Sequence, residues 1–113
     1  MSRIILFLSL FSISFFCFAQ QNLPAKIIGN IPAAGSDKKY QIQVGAYKIE
    51  KNAQEAILQL ENIDLEPAVE KFRDFTRVLI KEIPASQVRS CLASIASAGF
   101  KEVIIREDVP SIS

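Results

Sequence analysis

From Tyr40 to Tyr47 the chain reads "YQIQVGAY". Tyr40, Ile42, Val44 and Ala46 fall on one side of an extended strand, and Gln41, Gln43, Gly45 and Tyr47 on the other. The first set reads as core and the second as an outward face. Asn52 with Glu55 three residues on makes a capping-box pattern. Ala53, Ala56, Ile57 and Leu60 then recur at helical spacing and predict a helix ending near Asn62, with Pro67 blocking its continuation. Ala68 to Arg73 is short and charged, as an edge strand should be. A tight Arg73-Asp74 connection leads into a strand over Phe75 to Glu82, with Val78 and Ile80 on one face and Arg77, Leu79 and Lys81 on the other. Val88, Leu92, Ile95 and Ala96 form the apolar stripe of a second helix over Ser86 to Ala98, and Gly99 stands where a C-terminal cap belongs. Glu102 to Arg106 is the last strand. The order β-α-β-β-α-β predicts an α+β, ferredoxin-like fold: a four-stranded antiparallel sheet, two helices on one face, the first and third strands in the centre. No element remains to cover the other face.

The pattern changes at the N-terminus. Arg3 precedes an uncharged apolar run, Ile4 to Phe16, and "CFA" places small residues at the positions a signal peptidase reads. The expected organisation is a signal peptide over 1–19, a linker or loosely ordered arm over 20–38, one domain over 39–108 and a C-terminal tail over 109–113; within the arm, the apolar residues of "LPAKIIGNIP" allow part of it to pack or form a short strand. A retained anchor is the alternative, but the run is short of the ~20 apolar residues of a spanning helix. After cleavage no membrane association is expected. The leader carries five of the eight Phe and one of the two Cys, and it includes Arg3, so the remaining chain balances its acidic and basic residues.

A neutral chain lacks the basic field that nucleic acid requires. With no histidine, a histidine-based triad and the usual zinc ligand are absent, and no cofactor or metal is expected. Cys91, left alone after cleavage, reads as a small buried hydrophobe. The carboxylates are scattered over the first helix and the edge strand, with no pair set off by its surroundings as glycoside hydrolysis would need, so an enzyme is not expected.

Candidate chemistry concentrates on the uncovered face. Gln41, Gln43 and Arg77 supply donors and acceptors. Gly45 lets a ligand approach the backbone. Tyr47 and Phe75 offer rings to the apolar side of a sugar, and Leu79 lies between the polar groups. "YQIQVGAY", "NAQEAILQL", "TRVLI" and a second amphipathic helix ending in "AGF" together resemble the SPOR domain, the sporulation-related repeat, from Lys39 to about Glu107. The resemblance implies a peptidoglycan-binding domain of the cell wall that holds denuded glycan strands, stripped of stem peptides, at division sites on its open sheet face. It implies a periplasmic or envelope location, extending to the septum, and partners among division or cell-wall-remodelling proteins. It maps the motif glutamine, glycine and aromatic onto Gln43, Gly45 and Tyr47, and the strand-three arginine onto Arg77. The chain departs from the family pattern at "IKEIPAS", Ile80 to Ser86, which has no glycine, and at the shortened Arg73-Asp74 connection.

Two other readings use the same fold. One is a protein-interaction module whose sheet takes a protein partner. The other is an RNA-recognition module, which would need stacked aromatics and a basic surface that the exported, neutral chain does not offer.

Overall fold

The computed structural model describes residues 22–109; the signal peptide expected over 1–19 lies outside them. The elements are β1 (Lys26–Ile28), β2 (Lys39–Tyr47), α1 (Glu50–Glu61), β3 (Ala68–Phe72), β4 (Phe75–Pro84), α2 (Ala85–Ser97) and β5 (Glu102–Glu107). From β2 onward the order is the predicted β-α-β-β-α-β, with β2 and β4 side by side in the centre. Among the described residues no helix is long and apolar enough to cross a membrane.

The sheet itself corrects the expectation. It has five strands in the order β1-β5-β2-β4-β3, and β1 pairs with β5 in parallel, so it is mixed and not four-stranded antiparallel. The added strand comes from the stretch expected to be a linker or loosely ordered arm, inside the "LPAKIIGNIP" segment whose apolar residues allowed a short strand. Leu23, Ile27 and Ile31 pack against the core, and the Lys26 amide donates to the Lys101 carbonyl at 2.9 Å. Gly29 ends β1 at φ +103°, a backbone conformation that suits glycine. A Cβ there would lie 2.5 Å from the Ile105 carbonyl oxygen, so the arm lies tight against β5 only because this residue has no side chain.

Both helices cover the same face of β2 and β4. Ala53, Ala56 and Leu60 of α1 and Val88, Cys91, Leu92 and Ile95 of α2 join Ile42, Val44, Val78, Ile80, Val103 and Ile105 in one core. The stripe positions read from spacing pack there, Ile57 at the margin, except Ala96, whose place in the core is taken by Cys91. The capping box is not used: α1 starts earlier, after Ile49, and Asn52 lies exposed within its first turn. At the other helix end, Gly99 at φ +103° closes a Schellman motif. Its amide donates to the Ala96 carbonyl at 3.0 Å, and that of Phe100 to Ile95 at 3.3 Å.

Two irregularities re-aim side chains between β2 and β4. Ile42 pairs with Ile80 but Tyr40 with Ile83, so β4 carries an extra residue near Glu82, which adopts φ 55°. Gln43 pairs with Leu79 but Gly45 with Val78, so β2 carries an extra residue at Val44. The β3–β4 hairpin closes Phe72 onto Phe75 through Arg73-Asp74, with Arg73 at φ 55°.

Candidate functional site

The bulge at Val44 decides which residues the uncovered face presents. Beyond it the alternation inverts. Gly45 stands opposite buried Val78 and Tyr47 opposite buried Thr76, while Ala46 stands opposite Arg77. A Cβ on Gly45 would be 2.5 Å from Tyr47 Cζ, so the ring folds back over the glycine on the helix-covered side. Tyr47 packs against the core, and burial pushes its phenol pKa up. The expectation that Gly45 and Tyr47 face outward is thus corrected: the glycine makes room for a tyrosine of the same strand.

The other candidates share the uncovered face, and pairing aligns them. Ile28 pairs with Ile104, Ile104 with Gln43, Gln43 with Leu79, and Leu79 with Ala68. Paired residues project to the same side, so these five form one row across all five strands. The row is apolar except at its centre. There Gln43 Oε1 is shielded from solvent and has no hydrogen-bond partner among the described residues. An amide oxygen in that condition carries an uncompensated desolvation cost of about 1–3 kcal/mol.

Leu79, expected on an open surface, is only 1% exposed although it lies outside the helix-covered core. Register supplies the reason. Glu70 pairs with Arg77, one row beyond Leu79, and Lys81 lies one row before it. The Lys81 ammonium reaches Glu70 at 3.2 Å, so this ion pair spans the Leu79 row. The hydrogen bond that Lys81 donates to Glu70, with the nearby Asp108 charge, pushes the Lys81 pKa up. Lys39, Gln41, Lys81, Glu82 and Asp108 surround a shallow depression of about 500 Å³ at this end of the face. The Glu82 amide donates to Asp108 Oδ2 at 2.7 Å there. Gln41, paired with Arg106, lines this depression rather than the apolar row.

The hairpin end of the face is cationic and aromatic. The Arg77 guanidinium lies 4.1 Å from the centre of the Phe72 ring, that of Arg73 5.2 Å from the same ring, and the Lys48 ammonium 5.5 Å from the centre of Phe75. None of these three cations makes an ion pair among the described residues, whose ion pairs join Lys38 to Glu107, Lys71 to Glu50 and Lys81 to Glu70. Among the described residues no cluster of acidic or thiol side chains could hold a metal ion.

Phe72, Ile104 and Ile28 were not singled out by the sequence reading. A signal for Phe72 was present, since an aromatic on each side of a two-residue turn places two rings side by side. Ile104 and Ile28 gave none, because their membership depends on which strands become neighbours.

No family model matches the chain, and no curated protein does. The solution structure of the peptidoglycan-binding domain of the B. subtilis cell wall lytic enzyme CwlC is similar, at a TM-score of 0.53 and 23% identity over 69% of this chain and 99% of that domain. At this identity the likeness establishes a shared fold.

Proposed function

We propose that this chain is an exported, non-enzymatic peptidoglycan-binding module that holds denuded glycan on the uncovered face of its sheet, at sites of cell division. The observation that carries the reading is Gln43 Oε1, shielded and unpartnered at the centre of an apolar row. A sugar strand meets both demands of that row. Its ring faces are apolar, and its hydroxyl and acetamido groups donate hydrogen bonds. Arg77, stacked on Phe72 and without a carboxylate partner among the described residues, would form a fork with a muramic carboxylate. The similarity in fold to a domain that binds peptidoglycan, and the SPOR-like motifs, support the same reading.

Sedimentation with purified sacculi tests it. The protein, produced as residues 20–113, should pellet with sacculi whose stem peptides an amidase has removed, and less with untreated ones. Equal failure on both would sink the proposal. A tagged copy carrying its own leader should collect at septa in dividing cells. A protein partner is the second reading, favoured by the exposed apolar surface of Ile28 and Phe72 on this face. It would be adopted if sacculi retain nothing while a cross-linker placed at Phe72 captures an envelope protein.

A further inference from the structure

We infer that β1 is part of the ligand-binding face, and that Ile28 is the contact through which the domain distinguishes long glycan strands from short ones. This rests on the glycan reading above and extends it to a segment outside the β-α-β-β-α-β unit.

The two isoleucines of β1 do different things. Ile27 packs on the core side, paired with buried Val103. Ile28 turns to the uncovered face and remains 43% exposed, although it lies in a sheet where an apolar residue could have been buried. It adds nothing to the core, yet it continues the apolar row Ala68, Leu79, Gln43, Ile104 by one more strand. At about 4.8 Å per strand, the row is about 14 Å wide from β3 to β5 and about 19 Å wide when β1 is included. Gly29 holds that extension in place, since any side chain there would collide with the Ile105 carbonyl.

The occupant of such a row is constrained from two sides. The unpartnered amide oxygen at its centre requires a hydrogen-bond donor, which an aliphatic protein side chain does not offer. The flanking apolar residues require a ligand whose other surface is hydrocarbon. A polymer of acetamido sugars presents both, and its length lets it run on from Gln43 over Ile104 to Ile28.

The test is a length series. Denuded glycan oligosaccharides, fractionated by size, are titrated into residues 20–113 of the parent, Ile28→Ala, Gln43→Ala and Leu58→Ala, with circular dichroism confirming the fold of each. Leu58 is a control, an exposed leucine on α1 away from the face. Parent affinity should rise with length until the row is filled. Ile28→Ala should lose about fivefold on long oligomers and nothing on the shortest that binds, while Leu58→Ala matches the parent throughout. If Gln43→Ala weakens binding but Ile28→Ala equals the parent at every length, the face ends at β5 and this inference is overturned while the glycan reading stands. A uniform loss at all lengths in Ile28→Ala also overturns it, because it would mark a general structural effect. If the parent binds no oligomer, both fall.

Discussion

The two faces of the central strands invite comparison, because the same residues alternate between them. On the helix-covered face Ile42, Val44, Val78 and Ile80 are all buried, closed over by two helices whose apolar stripes match them. On the other face Gln43 and Arg77 stay partly accessible. Leu79 reaches full burial there, and it does so under a side-chain ion pair rather than a helix. Burial under a helix is held by backbone. Burial under Lys81–Glu70 is held by two exposed side chains, in an interaction worth ~0–1 kcal/mol that salt weakens. The first face is closed by the fold itself, whereas the second is closed by side chains whose contact costs little to break.

Truncation should separate the faces most sharply. Ile42→Ala or Leu92→Ala should lose about 3–4 kcal/mol in chemical denaturation, as buried large-to-small changes do. Leu79→Ala should lose about 2 kcal/mol, since its surroundings are free to collapse. Equal losses would show that the two faces are packed alike. In binding the order reverses. Arg77→Ala should weaken glycan binding by about 1.5–3 kcal/mol and Gln43→Ala by about 1 kcal/mol, without a change in melting temperature. The helix-side controls Gln54→Ala and Gln59→Ala should leave the titration unchanged.

The covered face should also respond to alkali. Burial pushes the Cys91 thiol up from 9.0 to about 11. Between those values the unfolded chain has released this proton and the folded chain has kept it, so stability falls as pH rises. Its contribution is intact below pH 9 and lost on approaching pH 11, a decline on the order of 1–2 kcal/mol. Tyr47, also raised by burial, adds a decline of the same sign above pH 10. Stability measured from pH 8 to 11 should fall less in Cys91→Ala, and an identical slope would place the thiol in water. Below pH 9 the parent thiol should label slowly. The smallest effect concerns the bulge. Gly45→Ala should cost about 1 kcal/mol by displacing the Tyr47 ring, and much less in a Tyr47→Ala background. Additive costs would mean that ring and glycine are independent.

Most of the β-α-β-β-α-β order was legible because its signals are local: period-two strands, helical stripes, and glycine at the end of α2. What escaped was what depends on pairing, including the membership of β1 in the sheet. β1 is three residues long among Pro24, Gly29, Asn30 and Pro32, and exists as a strand only because β5, far along the chain, accepts it. The outward placing of Gly45 and Tyr47 assumed unbroken alternation, and one extra residue at Val44 reverses it without any trace in the hydrophobic pattern. Leu79 was placed on the correct face, but its burial comes from two residues on different strands. Gln43 and Arg77 lie on the face expected of them because each precedes or lies outside the bulge and needs only its own strand's phase.

Arg73 points to a compromise between durability and chemistry. The first turn residue of the β3–β4 hairpin holds φ 55°, where glycine or asparagine would rest at ease and an arginine carries roughly 1 kcal/mol of strain. A chain selected for endurance alone would have glycine at this corner. The arginine instead keeps a second guanidinium beside the Phe72 ring, next to that of Arg77. The hairpin therefore belongs to the class of positions where a more robust variant is easy to make and where robustness would come at the expense of the surface the turn presents.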